Sequence, residues 1–337
     1  MTRKWSPDDT IPFRPRWAIE ETQPVVRLTQ PPEPYAPPPS QRRSCLARLL
    51  VLLGVLLLVG AGLALLGYGL WQWSADQPRM NVLILGLDRR PGQGNAVRSD
   101  TMILVTVYPP GPRVALLSIP RDLYVEVPGH GPGRVNAAHS WGENAQPGSG
   151  PSLAMQTVAQ NFGLPVHRYV RLDFDGFRAI VDSVGGIDVV VETAIVDNAY
   201  PTDDYGTIRI EIPAGPQHMD GETALRYARS RHGSSDFERA ERQQQIVVAL
   251  ARRLLEPEVW ADLPLVHQVL MNSLETDLTT WELVLLAPTL YRVGPDGIER
   301  RVIDREMTQP WTTSTGGSVL LPRWEAIRPL LQELFIP

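Results

Sequence analysis

The sequence has one cysteine in 337 residues, Cys45. A single thiol excludes an internal disulfide framework and any metal site built from several thiolates. Lysine is as scarce: every cation after Lys4 is an arginine. The six histidines (130, 139, 167, 218, 232 and 267) show neither HxH nor HExxH spacing, which argues against zinc. No Walker motif is present, and "GQG" at residues 92–94 is too short for a phosphate loop. Ser99, Ser118 and Ser140 lack a nucleophile-elbow context, which leaves a serine hydrolase without support.

Proline, by contrast, is concentrated. Ten of the 32 prolines precede residue 40, in a stretch without hydrophobic periodicity, so residues 1–45 read as a disordered, polyproline-like tail. Residues 49–70, "LLVLLGVLLLVGAGLALLGYGL", then carry no charge. As a helix they extend about 33 Å, enough for a bilayer core, so residues 46–73 are expected to cross a membrane. Arg42, Arg43 and Arg48 precede this run, while Trp71 and Trp73 follow it. The positive-inside rule therefore predicts a cytoplasmic tail and an extracytoplasmic domain over residues 74–337. Cys45 would lie at the cytoplasmic edge, most simply as an inert residue. Residues 1–48 hold eight Lys/Arg and five Asp/Glu, a net of +3. The rest holds 24 against 32, a net of −8, which makes nucleic acid an improbable partner.

In the outer part, "MNVLILGLD", "TMILVTVY", "RVALLSIP", "RYVRLDF", "IDVVVET" and "TIRIEIP" read as strands, the second and third joined as a hairpin through "PPGP". "DGFRAIVDSVGG" reads as a short helix with Asp175 as its N-cap and Gly185 as its stop; Asp220 caps a second helix. Two helical patterns, a strand ("IERRVID") and a last helix ("RWEAIRPLLQELF") follow residue 254. The interleaving predicts an α/β, partly α+β, domain in which helices flank a mixed central sheet.

"YARSRHGSSDFERAERQQQ", residues 227–245, concentrates arginine ahead of an apolar helix. Ser235 and Glu238 form a capping box, so a helix starts near Asp236. The face carrying Ile246, Val247, Leu250 and Leu254 runs back through Gln243 to Arg239. A helix N-terminus favours an anion, and Arg229, Arg231 and Arg239 make phosphate or pyrophosphate the best fit. Self-neutralisation by Asp236, Glu238 and Glu241, or simple arginine-codon bias, stays open. Upstream, Asp88 and Asp100 flank a loop that, folded back, would bring two carboxylates to one sheet edge. Two carboxylates with water and phosphate oxygens suit Mg²⁺, with Mn²⁺ as the alternative. Both could instead pair with Arg89, Arg90 or Arg98 in that loop. Arg121 follows the next strand.

The blocks "NVLILGLDRR", "RSDTMILVTV", "LLSIPRDLYV", "GRVNAAHSWG", "LDFDGFRAIVDSVGGIDVVV" and "HMDGETALRYARSRHGSSDFERAERQQQIV" resemble, in order, the LytR–CpsA–Psr family of bacterial cell-envelope proteins. The likeness covers a motif core at about residues 80–254. It implies an apolar cavity for a polyprenyl chain with an arginine-lined mouth for its pyrophosphate. It also implies a Mg²⁺-dependent phosphotransferase that moves a glycopolymer from a polyprenyl-pyrophosphate carrier onto peptidoglycan. Carried over residue by residue, Asp88 and Asp100 hold metal, and Asp88, Arg98 and Arg121 are catalytic. Arg98, Arg121, Arg134, Arg229, Arg231, Arg239 and Gln243 bind pyrophosphate. Arg134 stands where the family often has lysine, which puts a proton-transfer role there in doubt. The additional C-terminal domain of some relatives is not expected. A polyprenyl-pyrophosphate phosphatase and a non-catalytic envelope receptor are the competing functions.

Overall fold

The computed structural model describes residues 42–89, 93–202, 206–230 and 235–336, with side chains from residue 48 onward. The tail expected over residues 1–45 thus lies outside the described residues up to 41, and nothing is described of the Cys45 side chain. The chain divides into two units, residues 1–60 and 61–337. In the first, the described part is helix, the beginning of α1 (Arg42–Ala75). Its segment Arg48–Ala75 is the one helix among the described residues long and apolar enough to cross a membrane.

The second unit carries a six-stranded sheet. In chain order its first elements are β1 (Met80–Leu87), β2 (Ser99–Tyr108), β3 (Arg113–Ser118), β4 (Tyr124–Val127), β5 (Gly131–Arg134), α2 (Ala137–Ala145), α3 (Gly150–Phe162), β6 (Arg168–Leu172) and α4 (Phe174–Ser183). There follow β7 (Ile187–Val191), β8 (Ile195–Pro201), β9 (Thr207–Ile212), β10 (Gly215–Met219), α5 (Gly221–Arg229), α6 (Asp236–Leu254), α7 (Pro257–Trp260) and α8 (Leu263–Ser273). The last are β11 (Leu274–Thr276), α9 (Thr280–Val293), β12 (Glu299–Val302), β13 (Thr308–Thr312), β14 (Ser318–Pro322) and α10 (Trp324–Phe335). The sheet order is β11-β6-β1-β2-β3-β12. β1 runs parallel to β6 and β3 to β12, whereas β1–β2, β2–β3 and β6–β11 are antiparallel. It is the mixed sheet that interleaved hairpins and crossovers require.

Period-two alternation sends each strand's side chains to two different places. Leu83, Leu85, Met102 and Leu104 enter a core with Ala138 of α2, Ala154 and Val158 of α3, and Ile327, Leu331 and Leu334 of α10. Ile84, Gly86, Thr101 and Ile103 point the other way, into a cavity. Beyond it, a second core gathers Val181, Ile187, Val189, Met219, Ala224, Tyr227 and Ile246 from α4, β7, β10, α5 and α6.

The helix starts follow cap chemistry. Asp220 accepts from the Thr223 N–H, and Ser235 and Glu238 complete the capping box of α6. One expectation is corrected. The N-cap of α4 is Asp173, which accepts from Gly176 N at 2.9 Å, whereas Asp175 lies in the first turn and pairs with Arg178. Both aspartates satisfy the sequence rule, and the earlier one wins because Arg89 also engages it. The ribbons β4–β5, β8–β9 and β13–β14 are short, with proline, glycine and polar residues, and only β9 was visible as a strand in the sequence.

Candidate active site

The site begins with a fault in strand pairing. Gly86 of β1 faces Thr101 of β2, but the next residue, Leu87, faces Ser99. Asp100 is therefore an extra residue, a β-bulge, and Asp88 follows directly after Leu87. Bulges of this kind bend a strand and re-aim its side chains. Both carboxylates line the same cavity. Gly86 is required at this position: a Cβ there would sit 2.9 Å from Thr101 Cβ.

α5 and α6 supply the opposite wall. Arg239, Gln243, Ile246 and Val247 line the cavity at helical spacing, so the face projected from the sequence is the cavity face. Arg229, at the end of α5, joins them. Its guanidinium lies 3.9 Å from the Phe174 ring centroid and 5.4 Å from that of Tyr200, and Nη1 donates to the Tyr200 hydroxyl at 3.3 Å. This aromatic clamp fixes the cation with Nη2 3.7 Å from Asp88 Oδ1. Burial raises the Tyr200 phenol above its ordinary value, although the adjacent Arg229 opposes the shift, so the hydroxyl stays protonated near neutral pH. The rest of the wall is mostly apolar, with Ile84, Ile103, Leu172, Phe174, Phe177 and Leu225, and also carries Thr101, Asp173 and Asp197. The cavity volume is about 550 Å³.

A chain of alternating charges leads outward from the cavity residues Asp100 and Arg239. Arg134 Nε lies 3.2 Å from Asp122, and Arg121 Nε lies 3.5 Å from the same carboxylate. Arg121 also reaches Asp100 at 3.1 Å and Asp236 at 3.8 Å; Asp236 in turn contacts Arg239 at 3.0 Å. Burial works to lower the Arg121 pKa, but Asp100, Asp236 and Asp122 outweigh it and hold the guanidinium above its usual value. Arg121, Arg134, Arg229 and Arg239 are thus matched by Asp88, Asp100, Asp122 and Asp236.

The structure therefore brings Asp88, Asp100, Arg121, Arg229, Arg239 and Gln243 together. Arg134 is at the periphery, held by Asp122 and by the Ser318 carbonyl at 2.7 Å. Arg98 is exposed in the loop before β2. Arg231 lies outside the described residues. The open alternatives resolve in part: Asp236 does pair with Arg239, whereas Glu238 is spent on the cap. Asp100 pairs with Arg121, and Arg89 pairs with Asp173. Burial alone would raise the Asp173 carboxyl, but the Gly176 N–H and Arg89 hold it below the usual range.

Sequence reasoning missed two supports. Gln244, one residue from the projected face, is 2% exposed and donates to Ser118 Oγ (2.9 Å) and the Arg301 carbonyl (2.6 Å), tying α6 to the sheet. His139 is fully buried; its Nδ1 lies 2.8 Å from the Val97 carbonyl and its Nε2 3.1 Å from Arg171 Nη1. A carbonyl can only accept and a guanidinium can only donate, so the ring is neutral with its proton on Nδ1. Burial first, and then Arg171, lower its pKa. Glu143 completes this group, with Arg171 Nη1 at 2.5 Å. "NAAHSWGE" carried part of the signal, since a histidine and a glutamate four residues apart share a helix face.

The LytR_cpsA_psr family model matches residues 71–322. The polyisoprenyl-teichoic acid–peptidoglycan teichoic acid transferase TagU of Halalkalibacterium halodurans is 33% identical over 242 residues, 70% of this chain and 72% of that one. TagU of Oceanobacillus iheyensis, a transferase of the same description, is 34% identical over 209 residues, 61% of each chain. The chain spans about half to three fifths of the length of the first curated relatives it matches. Among solved structures, Bacillus subtilis TagV superposes with a TM-score of 0.62 at 28% identity, covering 77% of this chain and 97% of that one. TagT bound to LIIa-WTA gives 0.61 at 25%, covering 77% and 91%. With the ordered motifs, the mixed sheet and the family match in agreement, the chain belongs to the LytR–CpsA–Psr family.

Proposed function

We propose that the protein is a membrane-anchored phosphotransferase that moves a glycopolymer from a polyprenyl-pyrophosphate carrier onto peptidoglycan, leaving a phosphodiester link. One observation carries this reading: Arg229, Arg239, Gln243, Asp88 and Asp100 line a cavity whose other lining residues are mostly apolar, with Asp173 and Asp197 spent on Arg89 and Ser230. Such a cavity suits a ligand that is a diphosphate at one end and a hydrocarbon at the other. The names of the transferase relatives support the same substrate pair. The apolar run of α1, with arginines before it and tryptophans after it, supports a single-pass anchor with the domain outside the cell.

Arg229 and Arg239 would grip the phosphate oxygens, with Gln243 as a neutral donor and Arg121 held behind them by Asp100 and Asp236. The acceptor hydroxyl oxygen attacks the phosphorus that bears the glycan. The bond from that phosphorus to the bridging oxygen breaks, and the lipid leaves as its monophosphate. Asp88 Oδ1 is buried and accepts no hydrogen bond among the described residues, which suits it to orient the hydroxyl and take its proton. As a metal ligand in place of a base, the same carboxylate, with Asp100 on the same wall, fits a hard divalent cation, Mg²⁺ or Mn²⁺. Held there with phosphate oxygens, the cation would offset the diphosphate charge and stabilise the leaving group.

The test incubates the full chain with a labelled lipid-linked glycan, with and without peptidoglycan fragments. Transfer should require the fragments and vanish in Asp100→Ala, while lipid binding in that variant only weakens. Free glycan phosphate in both tubes would make the protein a phosphatase instead. Undiminished turnover in Asp100→Ala would remove the carboxylates from the chemistry.

A further inference from the structure

α9 is apolar on both sides. One side buries Leu285, Leu286 and Thr289, with Leu286 in a core against Val107 and Val114 and Leu290 and Val293 packed on it. The opposite side exposes Trp281 (49%), Val284 (46%) and Tyr291 (58%), which lie within one narrow stripe at helical spacing. The helix has two charged residues, and neither faces out alone. Glu282 pairs with Arg168 at 2.7 Å and caps the helix start, while Arg292 stacks over Trp71 at 4.8 Å and reaches Ser74 Oγ at 3.3 Å. A helix without a polar face ordinarily has an apolar medium on both sides.

The stripe is continuous with the end of α1. Trp73 packs on Trp281 with ring centroids 5.6 Å apart, and Trp71 meets Tyr291 edge-on at 6.3 Å. Trp71 and Trp73 close the segment long and apolar enough to span a bilayer. Tryptophan and tyrosine favour the membrane–water boundary, where the ring is buried and the N–H or O–H stays wet. We infer that the Trp281–Val284–Tyr291 stripe of α9 lies in the interfacial layer of the same bilayer, beside the point where α1 leaves it. The domain is then attached along a helix face as well as by its anchor. This rests on the reading of α1 as a membrane span, and the controls below separate the two.

Cys45 is the only cysteine, so Cys45→Ser gives a clean background for spin labels. The full chain is reconstituted in phosphatidylcholine vesicles and labelled singly at Val284→Cys, at Leu58→Cys within α1, or at exposed Ser314→Cys. The expected result is that the Val284 site falls between the other two: less open to a water-soluble nickel chelate and more open to oxygen than Ser314, and less shielded than Leu58. A Val284 site as open to the chelate as Ser314, with Leu58 still shielded, overturns the inference and leaves the membrane span intact. Dipolar coupling between Val284 labels of two chains, with oxygen access lost, overturns it in favour of a second copy. Chelate access at Leu58 as well would overturn the span itself, and the inference with it.

Discussion

The charge chain beside the cavity ranks two arginines that sequence alone treats alike. Arg239 is almost completely buried, lines the cavity and leans on Asp236. Arg134 lies at the far end of the chain, and Asp122 and the Ser318 carbonyl already occupy its donors. A hydrogen bond to a charged group contributes about 1.5–3 kcal/mol. Arg239→Ala should therefore weaken binding of a polyprenyl pyrophosphate about 10- to 150-fold. The upper part of that range is expected, because Asp236 would keep its charge near the phosphates with Arg121, at 3.8 Å, as its one other cation among the described residues. Arg134→Ala should cost about fivefold at most, the scale of an exposed ion pair. Arg239→Lys should fall between them, since an ammonium keeps the charge but loses the fork of donors. The assay is displacement of a fluorescent short-chain polyprenyl pyrophosphate from the full chain in detergent. Thermal unfolding serves as control; Asp236 is half-exposed and rehydrates when its partner is removed, so the fold should persist. Equal losses in Arg239→Ala and Arg134→Ala, in folded protein, would refute the placement of the diphosphate.

Other outcomes follow from the same contacts. Chelating divalent cations should abolish transfer and restored Mg²⁺ should recover it; transfer unaffected by a chelator would remove the metal from the proposal. Gln244→Leu should destabilise by about 1–3 kcal/mol in denaturant titration, since the Arg301 carbonyl and Ser118 hydroxyl lose their donor. Gly176→Ala should cost about 1–3 kcal/mol or unfold the chain, because its Cβ would meet the Ser273 carbonyl oxygen at 2.1 Å; a wild-type midpoint would contradict that packing. His139 and His167 are both lowered, chiefly by burial, so the unfolded chain takes up protons first as the pH falls. Their stabilisation is complete above about pH 6.5 and declines below it, and His139→Gln/His167→Gln should flatten the loss of stability between pH 7 and 5.5. An unchanged slope would show that other groups govern it.

Much of this site is readable from local chemistry. The Ser235–Glu238 box places the start of α6, and the spacing of Arg239, Gln243, Ile246 and Val247 identifies the wall they form. Asp88 and Asp100 are legible as a pair because each borders a strand of one hairpin. The cavity is not legible. Ile84 and Ile103 alternate with Leu83 and Leu104 as any two-faced strand would, and nothing local distinguishes a wall from a core. Gln244 and the distant contacts of His139 were hidden for a related reason: the Ser118 and Arg301 partners of Gln244 lie 126 and 57 residues away in the chain, and those of His139 42 and 32. Asp173 and Asp175 show the limit of cap rules, since the contact that decides between them comes from Arg89 in a different loop.

The extra residue in β2 has a consequence for how this architecture tolerates change. Backbone pairing on either side of the fault holds the two carboxylates in place, so the segment between them carries no responsibility for their spacing. Closing a longer segment costs little, about 0.6 kcal/mol for each doubling of length. New acceptor-reading sequence could thus be inserted between residues 93 and 94, ahead of Asn95 and Val97, which bond Arg89 and His139, without disturbing the chemistry. Removing a single residue next to Asp100 would turn that carboxylate toward the opposite side of the strand.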